Sequence, residues 1–392
     1  MKNLIEILIA WFALLFVFVG AYFSYYFYLR RALRRSWNLK IVKNNLPTVT
    51  LMVPLYNEEE TICLKLENLA KLEYPNEKLQ ILLVNDASTD GTLVQIESFL
   101  KGSSLNTETI SLQERNGKTK ALNKALERAK GDIIVVSDSD VFLPSNALFL
   151  TTPYFADPSV GGVISSEELL DSKISWVTET ENLYMNLTYG TIKLGESKIY
   201  STLIFHGGFA AYRKSLLDHF NVEADDTGTA LDIVQKGYRT IVIPEVTSYS
   251  VEFAAWKDKF NSKVRRARHN INTWVRCLRL LFQRKLLLPK KIAIPEIFLY
   301  LINPFILLAV IAVTAYLMVQ NLMFTLFLPV AIVLLLVPKQ TRLLSIEVLQ
   351  NNCFLLLAIL SAFFGRELIR WETSQDSRTK LNREMLEKRS LL

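Results

Sequence analysis

The chain opens with an apolar run. Ile5–Leu29 (IEILIAWFALLFVFVGAYFSYYFYL) carries one charge, Glu6, at its edge. A run of this length spans a bilayer. It exceeds the apolar core of a cleaved signal peptide and lacks a small-residue cleavage site, so it reads as a retained anchor. A second apolar block, Ile292–Val337, is interrupted mainly by Glu296, Asn303 and Gln320–Asn321, which predicts two helices with a turn near Gln320. Leu343–Phe364 is a weaker third piece, with Glu347, Gln350, Asn351 and Asn352 inside it. The pattern predicts four spans, one before and three after a more polar middle, the last of them open to an interfacial or re-entrant course.

In the middle the period changes. VTLMVPLY (49–56) is a short β-branched run ended by a polar NEEE. Ile62, Leu66 and Leu69 then recur at helical spacing. QILLV (80–84), TISLQ (109–113) and DIIVVSDSD (132–140) read as strands, separated by helices over 91–100 and 118–130. Strands alternating with helices predict an α/β domain with a mostly parallel sheet covered on both faces. Ligands of such sheets sit beyond the carboxyl ends of the strands. Those ends carry Asn57–Glu58, Asp86 and Asp138–Ser139–Asp140.

Residues 253–282 place Phe253, Trp256, Phe260, Val264, Ala267, Ile271, Trp274, Leu278 and Leu281 at steps of three or four. One helix face is therefore apolar. The other holds Lys257, Lys259, Lys263, Arg265, Arg266, Arg268, Arg276 and Arg279, which predicts a helix lying in a membrane interface with most of its charge against lipid. The organisation expected is a membrane helix over 1–35, a catalytic domain over 36–250, amphipathic interfacial helices over 251–290, three membrane helices over 291–366 and a charged tail over 367–392.

Composition changes this picture little. The formal charge of +7 suggests nucleic acid, but the basic residues crowd the ends of apolar segments, where lipid and topology account for them. No nucleic-acid-binding motif is present, and nucleic acid is not an expected partner. Arg30, Arg31, Arg34, Arg35, Lys40 and Lys43 follow the first span, against Lys2 before it. The positive-inside rule puts the middle in the cytoplasm of a multi-pass cell-membrane protein. Cys63, Cys277 and Cys353 are far apart and predict neither a disulfide framework nor a metal site.

Chemistry enters with SDSDV (137–141). Asp138 and Asp140 point to one side of an extended chain, and two close carboxylates call for a cation. A hard divalent ion, Mg²⁺ or Mn²⁺, meets that need and shares its shell with substrate phosphates. GKTKALN (117–123) opens a helix with a Gly and two lysines, suited to phosphate or nucleobase contacts. ADDTG (224–228) sets Asp225 and Asp226 at a helix start, where the dipole favours their ionised form. Each motif alone has an ordinary structural explanation as a turn, a helix start or a cap.

In order and spacing, VPLYNEEETI, VNDASTDGT, GKTKALN and SDSD resemble the family 2 glycosyltransferases with a GT-A fold, in the membrane-embedded branch that includes cellulose, chitin and hyaluronan synthases. The resemblance covers about residues 47–290. It implies an inverting hexosyltransferase of polysaccharide or glycolipid biosynthesis. Its donor would be a nucleotide-diphospho-sugar, UDP-linked by expectation, and its acceptor lipid-linked or a glycan, reached among membrane lipids. Pro54, Tyr56, Glu58 and Asp86, with Lys118 nearby, would hold base and ribose. Asp138 would bind the diphosphate and Asp140 the metal. His206, Gly207 and Gly208 would line the acceptor site, with Asp225 supporting Asp226 as catalytic base.

The branch's Q-x-x-R-W motif is degenerate here. Ser262 stands for Gln, Arg265 keeps the Arg, and Arg266 replaces Trp. Arg265 and Arg268 are the expected diphosphate contacts, since guanidinium suits phosphate oxygens. Loss of the Trp that marks the acceptor platform of processive enzymes weighs against a polymerase. A processive synthase and a catalytically inactive membrane scaffold or sugar-nucleotide sensor are the alternatives.

Overall fold

The computed structural model describes the chain except residues 1, 104, 171–174, 252–255, 322–323, 327, 330–332, 334–335 and 364–380. Its centre is an eight-stranded sheet ordered β3-β2-β1-β4-β7-β6-β8-β5. The strands are β1 (Val49–Leu55), β2 (Leu79–Asn85), β3 (Thr107–Ser111), β4 (Ile133–Val136), β5 (Val141–Phe142), β6 (Val160–Leu169), β7 (Ala210–Arg213) and β8 (Arg239–Ser250). β1, β2, β3 and β4 pair in parallel, as the βα alternation predicts. Buried on both faces, β1 and β4 read as continuous apolar runs rather than alternating ones.

The parallel pairings carry Tyr56, Asp86 and Ser137 to one edge of the sheet. β7 then runs antiparallel to β4, with Val136 opposite Ala210. The residues just before β7 therefore lie beside those just after β4. This reversal delivers Gly207 and Gly208 to the Asp138 turn.

Helices α1 (Lys2–Ala32), α2 (Ile62–Ala70), α3 (Thr92–Lys101), α4 (Lys118–Leu126), α5 (Ala147–Thr151), α6 (Trp176–Leu187), α7 (Leu194–Ile199) and α8 (Asp225–Gln235) accompany the sheet. Ile62, Leu66 and Leu69 of α2 and Ile96 of α3 cover one face together with Leu51, Leu83 and Val135. Ala121, Leu122 and Ala125 of α4 and Ala230 and Ile233 of α8 cover the other with Met52, Leu82 and Ile134.

C-terminal to the sheet come α9 (Trp256–Phe282), α10 (Lys290–Ile297), α11 (Asn303–Gln320), α12 (Lys339–Phe363) and α13 (Arg383–Glu387). Among the described residues, three stretches are long and apolar enough to cross a membrane: Leu4–Ala32, Lys290–Gln320 and Lys339–Ser361. The span expected between Gln320 and Val337 falls partly outside the described residues. α1 and α11 are joined by a Trp11 Nε1–H bond to Thr314 Oγ1 of 2.7 Å, and α1 meets α7 where Tyr25 donates to Glu196 Oε1.

The α9 helix departs from the sequence expectation. Its apolar face is covered by protein: Val264, Ala267 and Ile271 pack on Phe354, Leu355 and Ala358 of α12, and Trp274 and Cys277 on Leu288, Ile292 and Ala293. Lys259 and Lys263 are not set against lipid headgroups either. Lys259 pairs with Glu347 at 2.8 Å and Glu181 at 3.3 Å, and Lys263 with Glu181 at 2.7 Å. Phe253, the first residue of the predicted face, lies outside the described residues.

The last residues return to the sheet. Leu386 and Leu391 are buried with Phe142 and Leu170. Arg383 pairs with Glu67, and Arg389 with Glu168 at 3.4 Å. The side-chain amide of Asn68 donates to the carbonyls of Leu143 and Leu391, each at 2.8 Å. The tail is thus fastened to α2 and to the strand that follows Asp140.

Candidate active site

Beyond the carboxyl edge of the sheet lies a cavity of about 1330 Å³. Of the residues expected from sequence, Pro54, Tyr56, Asp86, Lys118, Asp138, Asp140, His206, Gly207, Gly208, Asp226, Arg265 and Arg268 all line it. Glu58 does not. It is buried, and its carboxylate accepts from Thr61 Oγ1 at 2.9 Å at the start of α2. The Asp225 side chain lies outside the described residues.

Asp86 has a local task. Its two carboxylate oxygens accept the backbone N–H groups of Asn116 at 2.8 Å and Gly117 at 2.7 Å. Gly117 has φ +86°, a conformation glycine adopts without steric cost. This held turn starts α4 with Lys118 facing the cavity. Arg115, which sequence reasoning passed over, sets its guanidinium 3.9 Å from the centre of the Tyr56 ring, a cation–π contact. Its only signal in sequence was its place two residues before the Gly117 turn.

Lys118 Nζ lies 2.7 Å from Asp138 Oδ1 and 3.8 Å from Asp226 Oδ2. One ammonium therefore stands between the loop after β4 and the first turn of α8. Burial opposes the charge on Asp138, but Lys118 and then Lys65 outweigh it and hold the carboxyl below its ordinary range. The Asp138 N–H donates to Gly207 O at 3.0 Å. A Cβ on Gly207 would collide with the Lys118 ammonium and approach Asp138 Oδ2 to 2.8 Å, so a side chain there would displace this ion pair.

Among the described residues no three His, Cys, Asp or Glu side chains gather to hold an ion unaided. Asp138 and Asp140 offer oxygen ligands only, and Asp138 already faces a cation, the Lys118 ammonium. That donor set fits Mg²⁺ or Mn²⁺, which complete their shells from substrate phosphate and water.

His206 Nδ1 accepts from the Gly208 N–H at 3.2 Å, and Nε2 lies 3.3 Å from Ser165 O. Burial, reinforced by Lys193, pushes the imidazole down to about 3. The ring is therefore neutral, protonated on Nε2, and its 3.4 Å approach to Glu167 Oε2 is not an ion pair. Glu167 instead accepts from Tyr189 Oη at 3.0 Å.

The basic face of α9 looks inward. Lys263, Arg265, Arg266, Arg268, Arg276 and Arg279 line the cavity, where the sequence predicted lipid for most of them. The reason is the covered apolar face: once α12 and α10 pack on it, the opposite face is the one presented to the cavity. Thr227 Oγ1 of α8 donates to Asn270 Oδ1 of α9 at 3.2 Å, tying this face to the Asp226 turn. The cavity continues past Tyr22 and Tyr25 of α1, Glu296 of α10, Tyr300 just after it, and Asn351 of α12.

The cavity thus has an acidic edge facing basic side chains, and residues 50–220 match the Glycosyl transferase family 2 profile. Residues 50–220 thus form a family 2 glycosyltransferase domain. Over 205 residues the chain is 30% identical to the poly-β-1,6-N-acetyl-D-glucosamine synthase of Staphylococcus aureus, covering 51% of this chain and 48% of the relative. The glycosyltransferase thus spans about half the length of that curated relative. It is 24% identical over 324 residues to the probable glycosyltransferase YdaM of Bacillus subtilis, covering 81% of this chain and 75% of that one. Among solved structures, the mannosyltransferase PcManGT from Pyrobaculum calidifontis, in complex with GDP-Man and Mn²⁺, matches with a TM-score of 0.78. The two are 29% identical, over 91% of this glycosyltransferase and 99% of that chain.

Proposed function

We propose that the protein is a membrane-integral, inverting hexosyltransferase that moves a sugar from a nucleotide-diphospho-sugar to a lipid-linked or glycan acceptor. One observation carries this reading: Lys118, Asp138, Asp140, Asp226, Arg265 and Arg268 share a single cavity that runs on between membrane helices. The donor base and ribose sit by Pro54, Tyr56 and Asp86, and its diphosphate lies between the Asp138–Asp140 turn and the guanidinium groups of α9. A divalent ion held by Asp140 would supply positive charge to the departing diphosphate.

Asp226 takes the proton of the acceptor hydroxyl as its oxygen attacks the anomeric carbon. The bond from that carbon to the diphosphate oxygen breaks on the opposite face, which inverts the anomeric centre. Arg265 and Arg268 stabilise the charge that develops on the leaving group. Gly207 and Gly208 let the acceptor approach, and the arm lined by Tyr22, Tyr25, Glu296 and Tyr300 is its route from the membrane. A polar lining of this kind suits a hydroxyl-rich acceptor better than an acyl chain.

The domain faces the cytoplasm, where nucleotide sugars are made, a side that the basic residues after α1 support. The test is release and transfer of sugar by the detergent-solubilised protein with a panel of UDP- and GDP-sugars, with and without Mn²⁺. One donor class turning over in a metal-dependent way supports the assignment. Binding without turnover for every donor would replace it with a sugar-nucleotide sensor.

A further inference from the structure

Lys65 lies on α2, one turn before Asn68, and does not line the cavity. Its side chain is wholly buried, 0% exposed, and among the described residues no carboxylate comes within ion-pair distance of it. A lysine so placed is costly to desolvate and persists only where its hydrogen bonds are specific. Its ammonium donates to Ser137 Oγ at 2.8 Å and to Val141 O at 2.5 Å. Those two groups bracket the Asp138–Ser139–Asp140 turn. Ser137 passes the connection on, since its hydroxyl donates to Gly208 O at 3.0 Å. The turn is joined again to the glycine stretch by the Asp138 N–H bond to Gly207 O.

We propose that Lys65 is a positioning residue of the donor site: from behind the sheet edge it fixes the spacing of Asp138 and Asp140 and holds Gly207–Gly208 in register with them. The proposal rests on reading Asp138 and Asp140 as the metal and diphosphate site. It differs from a structural lysine in a specific way. Loss of a merely structural lysine would cost stability alone, since Ser137 Oγ and Val141 O lose their donor, whereas the loss of an outer support of a metal site weakens binding by about 10- to 100-fold.

The experiment titrates Mn²⁺ into the full-length protein with UDP or GDP present. It follows the free-ion paramagnetic resonance signal, with thermal melting measured on the same samples. Lys65→Met is expected to fold but melt below the wild-type temperature, and to bind Mn²⁺ about 10- to 100-fold more weakly. Lys65→Arg, which keeps donors, should recover part of the loss. Ser137→Ala, a small change that folds even if Lys65→Met does not, should weaken Mn²⁺ binding less than Lys65→Met but measurably. Wild-type Mn²⁺ affinity in Lys65→Met and Ser137→Ala would overturn the proposal. So would tighter binding in Lys65→Met, which would mean that the lysine acts as a repelling charge. Asp140→Asn is the control: wild-type affinity there would refute the metal-site reading itself, separately from the role of Lys65.

Discussion

Lys118 and Asp138 form an ion pair of 2.7 Å that joins the start of α4 to the turn after β4. The same ammonium is 3.8 Å from Asp226, so it sits between the proposed diphosphate and metal site and the proposed base. Replacing it should separate these elements electrically while leaving the sheet intact. Lys118→Met is expected to lower transfer by about 10²–10³-fold, the scale of losing one electrostatic stabiliser. Initial-rate kinetics against donor concentration check this, and an unchanged kcat/KM would remove Lys118 from the site.

The pairing of Lys259 and Lys263 with Glu181 and Glu347 binds α9 to α6 and α12 in a buried setting. Removing one member strands a charge in the interior. Glu347→Gln should destabilise the folded state by about 3–5 kcal/mol, and Lys259→Met combined with Glu347→Met should recover much of that. Thermal unfolding in detergent measures both.

His206 gives a pH dependence whose sign can be worked out. Its folded value is about 3, against about 6.5 for an unperturbed histidine. Between these values the unfolded chain takes up a proton that the native state refuses. His206 therefore subtracts stability as pH falls through that window, by up to about 1.4 kcal/mol per pH unit. Melting temperature followed from pH 7 downwards should fall less steeply in His206→Gln than in the wild type.

The tail that buries Leu386 and Leu391 against Phe142 must lie on the same side of the membrane as the catalytic domain. An even number of crossings then separates α9 from α13, as with the two candidate spans described there, and not the three expected from sequence. A single cysteine at Ser390, in a chain lacking Cys63, Cys277 and Cys353, should react with a membrane-impermeant thiol reagent from the side that exposes the sheet domain. Labelling from the opposite side alone would refute the docking.

Much of the cavity's acidic edge was legible in sequence. Hydrophobic runs ending in Asp86 and in Asp138–Ser139–Asp140 report strands and their carboxyl ends directly, because a parallel sheet places those ends together. The turn of α11 at Gln320 was legible for a similar reason, a polar break in an apolar run. What stayed hidden depends on pairs distant in sequence. Nothing local marks Lys65 as buried beneath Ser137, or Lys259 as the partner of Glu347. The basic face of α9 was misplaced because an amphipathic period tells which residues share a face, not whether lipid or protein covers it.

Asp226 is the proposed base of sugar transfer, and Asp226→Asn tests that role most directly. The variant keeps the shape of the side chain but cannot accept the acceptor proton. Sugar transfer should fall by about 10²–10⁴-fold while nucleotide binding, measured by calorimetry on the same protein, stays at the wild-type value. Full transfer by Asp226→Asn would contradict the assignment.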